Sequence, residues 1–203
     1  TTSSTATIPA NDLVVTNTND SGDGSLRQAI TNANADGIDS TITFDASANG
    51  TITLGSTLPD LVSNGTLTIT GNGAANTVIS GNDSYRVFNM TGGTVTLQNV
   101  TVTHGNTSGY GAGLNHNGGT LTVINSTFSD NATTTVSQDG GGGIYNGSGA
   151  LTVINSIFTG NSSTVDGGAI YNLTGNTFTV INSLFTGNSA TRNGGALVNR
   201  IGS

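Results

Sequence analysis

LTVINSTFSDN (residues 121–131), LTVINSIFTGN (151–161) and FTVINSLFTGN (178–188) are one phrase written three times. Such repetition marks a supersecondary unit stacked on copies of itself. Two motifs recur in each unit. One is F-x-x-N, as Phe128 with Asn131, Phe158 with Asn161 and Phe185 with Asn188. The other is a glycine-rich approach to a strand: GAGL ending at Leu114, GGGI at Ile144, GGAI at Ile170 and GGAL at Leu197. Counting back from Leu114 reaches Val87 of RVFN, so an apolar position at the strand start recurs about every 27 residues. That period, with three short strands and no helix per unit, fits one coil of a parallel β-solenoid. Leucine-rich repeats need their Leu/Asn frame and helical repeats need helix formers, and neither is present.

Composition points the same way. Of 203 residues only 33% are hydrophobic, well below the roughly 45–50% of ordinary globular chains, which excludes a thick two-layer core. The acidic residues are all Asp, the basic ones are Arg27, Arg86, Arg192 and Arg200, and Lys and Glu are absent. Good helix formers are thereby missing almost as a class. Thr, Asn, Gly and Ser dominate, a mixture suited to short strands joined by tight turns. A formal charge of −7 excludes nucleic acid as partner, since binding it demands a basic footprint. No run of about 18 apolar residues is present to span a membrane as a helix. Cys is absent, which removes disulfides, thiolate metal sites and a cysteine nucleophile. The Thr, Ser and Asn surface fits an extracellular or cell-surface protein.

Along the chain, DLVVT (12–16) reads as a strand, followed by the turn-rich NTNDSGDG. SLRQAITNANA then carries Leu26, Ala29, Ile30 and Ala33 at helical spacing, with Ser25 and Gln28 placed as a capping box. This predicts one helix near residues 25–35. TITF, TITL, LTIT and TVIS follow as alternating strands. In a coil, alternate residues point inward, so Phe128, Phe158 and Phe185 should stack as a core column. Asn125, Asn155 and Asn182 end one strand in each coil, where an amide ladder from coil to coil is expected.

The F-x-x-N and GGA[ILV] pair resembles the repeats of the chlamydial polymorphic membrane proteins and related bacterial surface β-helix proteins. VTNTNDSGDGSLRQAITNANA (15–35) followed by TITF is similar to the N-terminal segment of large exported bacterial β-helix adhesins. The likeness covers roughly residues 12–200. It implies an all-β, right-handed, single-stranded parallel β-helix, export to the cell surface, and adhesion or scaffolding without catalysis. The proteins it resembles are usually far longer and carry an outer-membrane anchor.

A solenoid's end coils need covering. The helix face of Leu26, Ile30 and Ala33 is the expected N-terminal cap, and GGALVNRIGS breaks off still in rhythm. The expectation is a parallel β-helix over 12–203, preceded by an arm, 1–11, that is either flexible or donates a strand to a neighbour. Partners are then a second copy, stacking head to tail into a filament, or a host or matrix surface ligand.

The rival reading is a carbohydrate-binding or polysaccharide-degrading β-helix of lyase or glycoside hydrolase type, since fold alone does not fix function. Its best residues are Asp139 and Asp166, one coil apart, because coils lie about 4.8 Å apart and retaining glycosidases hold carboxylates about 5–5.5 Å apart. Asp before Gly is equally what a turn requires, and no basic residue lies nearby in sequence. Calcium is a further option: Asn17, Asn19, Ser21 and Asp23 alternate around Gly22, although Gln28 stands where a calcium loop has Glu. Otherwise no cofactor or metal is expected, and His104 and His116 read as surface residues. Phe88, Tyr145 and Tyr171 are expected to turn outward as an aromatic stripe able to grip a sugar or a protein. TITF, TITL, LTIT and TVTLQNVTVT also present outward threonines. Later coils set Thr, Ile and Asn at unlike places, so the sequence alone shows no regular lattice for ice binding.

Overall fold

The computed structural model describes residues 10–62, 65–134, 139–173 and 175–200; most of the predicted arm, 1–9, lies outside them. The alternation of the sequence becomes alternation of burial. In Ser40–Phe44, Ser40, Ile42 and Phe44 are buried while Thr41 and Thr43 face water. A strand that is apolar on one face only must cover that face, and here the cover comes from the coil's own other walls. Among the described residues all strand pairings are parallel, and three sheets form the walls of a prism of about seven turns. The chain is a parallel β-helix.

The largest sheet, with ten strands, runs through Val14–Val15, Ser40–Phe44, Thr66–Thr70, Thr94–Gln98, Leu114–Ile124, Ile144–Ile154 and the strands beyond. The second, six-stranded, begins at Gly50–Thr53 and ends at Leu184–Thr186; the third, with four strands, begins at Asn106–Thr107 and ends at Ser189–Ala190. Register stacks like on like. Ile42, Ile69, Leu97, Val123, Val153 and Val180 form one inward column. Ile52, Ile79, Val102, Phe128, Phe158 and Phe185 form another. The Phe128–Phe158 and Phe158–Phe185 rings stack with centroids 5.1 Å and 5.0 Å apart.

The bend between the first and second sheets requires a left-handed residue. Asn99, Asn125, Asn155 and Asn182 supply it, with φ between 47° and 60°, because Asn tolerates this region better than other residues bearing a Cβ. Asn125, Asn155 and Asn182 are exposed bend residues. The predicted amide ladder is not at these positions. The aligned strand start also differs by one residue from the reading by counting: Leu114 pairs with Phe88, not Val87. Phe88 is fully buried within the core, so it is no part of an outward stripe.

The single α-helix among the described residues, Leu26–Asp36, follows a 3-10 turn at Ala10–Leu13 and closes the first coil with Leu26, Ala29, Ile30 and Ala33. The Ser25 side chain accepts from the Gln28 amide, and Gly37 ends the helix at φ 67°. Only half the capping box forms, since the Gln28 side chain donates to Asn32. The core then runs without interruption from Val15 to Ile170, with Phe178, Val180, Phe185 and Leu197 partly buried on the last described coil.

Candidate functional site

Glycine-rich corners lead each coil back to the first sheet. Gly141, Gly167 and Gly194 all have positive φ, and backbones approach so closely that a Cβ on Gly168 would lie 2.0 Å from the Gly195 carbonyl oxygen. This close corner gathers most of the chemistry-bearing side chains of the later coils. Tyr110, Tyr145 and Tyr171 stack beside it, with centroids 4.6 Å and 5.7 Å apart. Alternation turns Tyr145 and Tyr171 away from the main core as expected, yet they are only 6% and 0% exposed. They form a covered stack, and no aromatic stripe is offered to a ligand.

Asp139 and Asp166 are brought near the corner but into different company. The Tyr171 hydroxyl donates to Asp139 Oδ1 at 2.6 Å, and Arg200 Nη1 donates to the same oxygen at 3.2 Å and to Tyr171 Oη at 3.1 Å. Asp166 is gripped by Arg192 through Nε at 2.8 Å and Nη2 at 2.7 Å, and accepts from the backbone and side-chain amides of Asn193. The Arg192 bond, followed by those from Asn193, holds the Asp166 carboxyl below its usual range against the cost of burial. Each carboxylate has its own arginine, so they do not share a proton as an acid–base pair. The arginines that sequence proximity did not reveal come from 26 and 61 residues further along the chain. Burial, then the bond to Asp139, pushes the Tyr171 phenol up to about 12. Burial and the Asp139 charge also push Tyr145 upward. Both phenols therefore stay protonated at neutral pH, as donors and not as bases.

Sequence reasoning missed two amide columns inside the prism. Asn131 Nδ2 donates to Asn161 Oδ1 at 2.9 Å, and Asn161 Nδ2 to Asn188 Oδ1 at 2.9 Å. These are the asparagines of F-x-x-N, and their regular distance from Phe was the available signal. Asn146 donates to Asn172 and Asn172 to Asn199 in a second column; here the signal was the Asn two residues after each strand start. His116 continues that column by register, with Met90 on its other side. It is 0% exposed, with the Asn146 side chain and the backbone of Gly118 and Gly119 beside its ring. The surface reading of His116 is thus corrected, whereas His104 is exposed. Burial lowers the His116 pKa.

The calcium-like segment is a hydrogen-bonded turn. Asn17 donates to the Asp23 carbonyl and accepts from the Asn19 amide, while Asp20 pairs with Arg27 at 2.6 Å. A cleft between this turn and the helix is lined by Asp12, Asp23, Ser25, Gln28 and Asn32. Among the described residues no group of three or more His, Cys, Asp or Glu side chains is arranged to hold a metal. No helix among them is long and apolar enough to cross a membrane, which leaves β-barrels unaddressed.

Residues 155–173 and 182–200 match the family model of the Chlamydia polymorphic membrane protein repeat. Each matched segment spans a second-sheet strand, a third-sheet strand, the glycine corner and the next strand start, so the match falls on one structural unit taken twice. No curated protein and no solved structure matches the chain. The coils resemble that repeat in sequence and form the parallel β-helix it implies.

Proposed function

We propose that this chain is a non-enzymatic structural or adhesive β-helix of the bacterial cell surface. The observation that carries the reading is the pair of polymorphic membrane protein repeat matches falling on successive coils. The occupied carboxylates support the absence of catalysis: Asp139 and Asp166 are each tied to an arginine, and the neighbouring tyrosines remain protonated. Incubating the purified chain with polyuronides tests this directly. No release of reducing ends or unsaturated products is expected, and steady release abolished by Asp166→Asn would replace this reading with that of a polysaccharide-degrading β-helix.

The finer reading is that the chain meets a further coil at its last described face. Phe178, Val180, Phe185 and Leu197 are only partly covered there, whereas Leu151, Val153, Phe158 and Ile170 at the same positions one coil earlier are fully buried. A parallel coil of the same kind is the shape and chemistry that this face fits, and a second copy would supply it in a filament. Electron microscopy over a concentration series, with and without residues 1–10, tests this. Fibres that grow with concentration are expected; single short rods at every concentration would refute self-stacking.

A further inference from the structure

The strand registers show an order on the outer face of the ten-stranded sheet that the sequence alone does not display. Thr41, Thr68, Thr96, Thr122, Thr152 and Thr179 pair in unbroken succession, one from each of six coils. Beside them Thr66, Thr94, Thr120, Ala150 and Thr177 form a second outward column, two residues earlier in each strand. The pairing irregularities in Leu114–Ile124 all precede Thr120, so this part of the sheet is in continuous register. We infer that this threonine face binds ice.

Three observations support this choice of ligand. First, the array is periodic in two directions, about 4.8 Å between coils and about 6.7 Å between alternate residues of a strand. Both lie close to repeats on the faces of hexagonal ice. A small soluble ligand needs a concave site with a few converging groups, whereas a periodic face of six coils, about 24 Å long, suits a periodic solid.

Second, the hydroxyls are available. Among the described residues, none in these two columns hydrogen-bonds to protein. Several outward hydroxyls of the six-stranded sheet are instead taken up within the protein: Thr101 donates to the Ala74 carbonyl, Ser129 to Thr103, and Ser80 accepts from the Asn82 amide. That face is also interrupted by Val78, Ile157 and Leu184 at outward register positions. Third, the strands carrying the array contain no charged residue. A charge would impose its own hydration shell, while each threonine offers a hydroxyl to fix a water and a methyl to order its neighbours.

The test uses the full chain. Nanolitre osmometry should show a gap between melting and freezing temperatures, with faceted ice crystals within the gap. Thr122→Tyr, in the middle of the array, should lose most of that gap. Thr127→Tyr, on the outer face of the six-stranded sheet, should retain it. Circular dichroism and the melting temperature establish that both variants are folded. A folded wild-type chain with no gap and rounded ice crystals overturns the inference, as do equal losses in the two folded variants.

Discussion

In the six-stranded sheet the inward column reads Ile52, Ile79 and Val102 on the helix-capped side, then Phe128, Phe158 and Phe185 beyond it. The same boundary separates apolar from polar interiors. Met90 occupies the register position that becomes His116 and Asn146 in the next coils. The backbone amide of Gly105 donates to Asn131 Oδ1 at 2.9 Å and so ends that column. The early coils are thus an apolar prism, mostly aliphatic with Phe44 and Phe88 among its side chains, closed by a helix. The later ones add stacked rings and two amide columns to the same walls. A coil can close on any well-shaped apolar filling, but an amide column hydrogen-bonds only in the correct register, so it specifies alignment as well as contributing stability.

The comparison can be broken most forcefully at the rings. Phe158→Ala should cost about 3–5 kcal/mol, measured as a shift in the urea midpoint, and should exceed the cost of Val102→Ala in the same column. Equal losses would remove the distinction between the two halves. Next in size is Asn161→Ala. The Asn161 amide donates to Asn188 and to the Phe128 carbonyl and accepts from the Asn131 side chain and backbone. Orphaning such buried partners costs about 1–3 kcal/mol.

His116 sharpens the comparison through pH. Its folded pKa is lowered from 6.5 by burial, so the unfolded chain takes up the proton first. Stability should be constant above neutrality and should fall as pH drops through about 6.5, levelling out below the folded pKa. His116→Met, which copies Met90 of the preceding coil, should flatten the stability curve in that window; an unchanged slope would place the titrating group elsewhere. Asp166 acts lower and more weakly. Its depressed carboxyl contributes stability above its ordinary pKa of 3.8, and this is lost as pH falls through the folded value. Because Arg192 is 44% exposed, Asp166→Asn should cost only about 1 kcal/mol at neutral pH. The smallest effect belongs to the bend: Asn125→Gly keeps the left-handed backbone accessible and should change stability by less than about 0.5 kcal/mol.

The fold was legible because each coil obeys the same alternation, so period, strand count, Phe column and helix cap could be read by counting. Counting failed where side-chain roles depend on neighbouring coils. Val87 and Phe88 differ by one residue, and in a strand that reverses inside and outside. Asn125 and Asn131 are equally periodic; only the backbone shows that one makes a bend and the other fills the interior. Tyr145 and Tyr171 turn away from the main core as alternation requires, but the glycine corner that covers them has no periodic signature of burial. The arginines of Asp139 and Asp166 were hidden by sequence distance, which stacking converts into contact. The threonine face emerged only once registers aligned strands whose flanking residues differ.

Native-state hydrogen exchange on Asn161→Ala, compared with wild type, tests most directly whether the later coils depend on their amide columns. Faster exchange should centre on the amides of Asn131 and Ser162 and the coils around them, while those of Ile42, Ile69 and Leu97 near the helix cap retain their protection. Uniform loss throughout the prism, or no loss beside Asn161, would contradict the division between an apolar half and an amide-registered half.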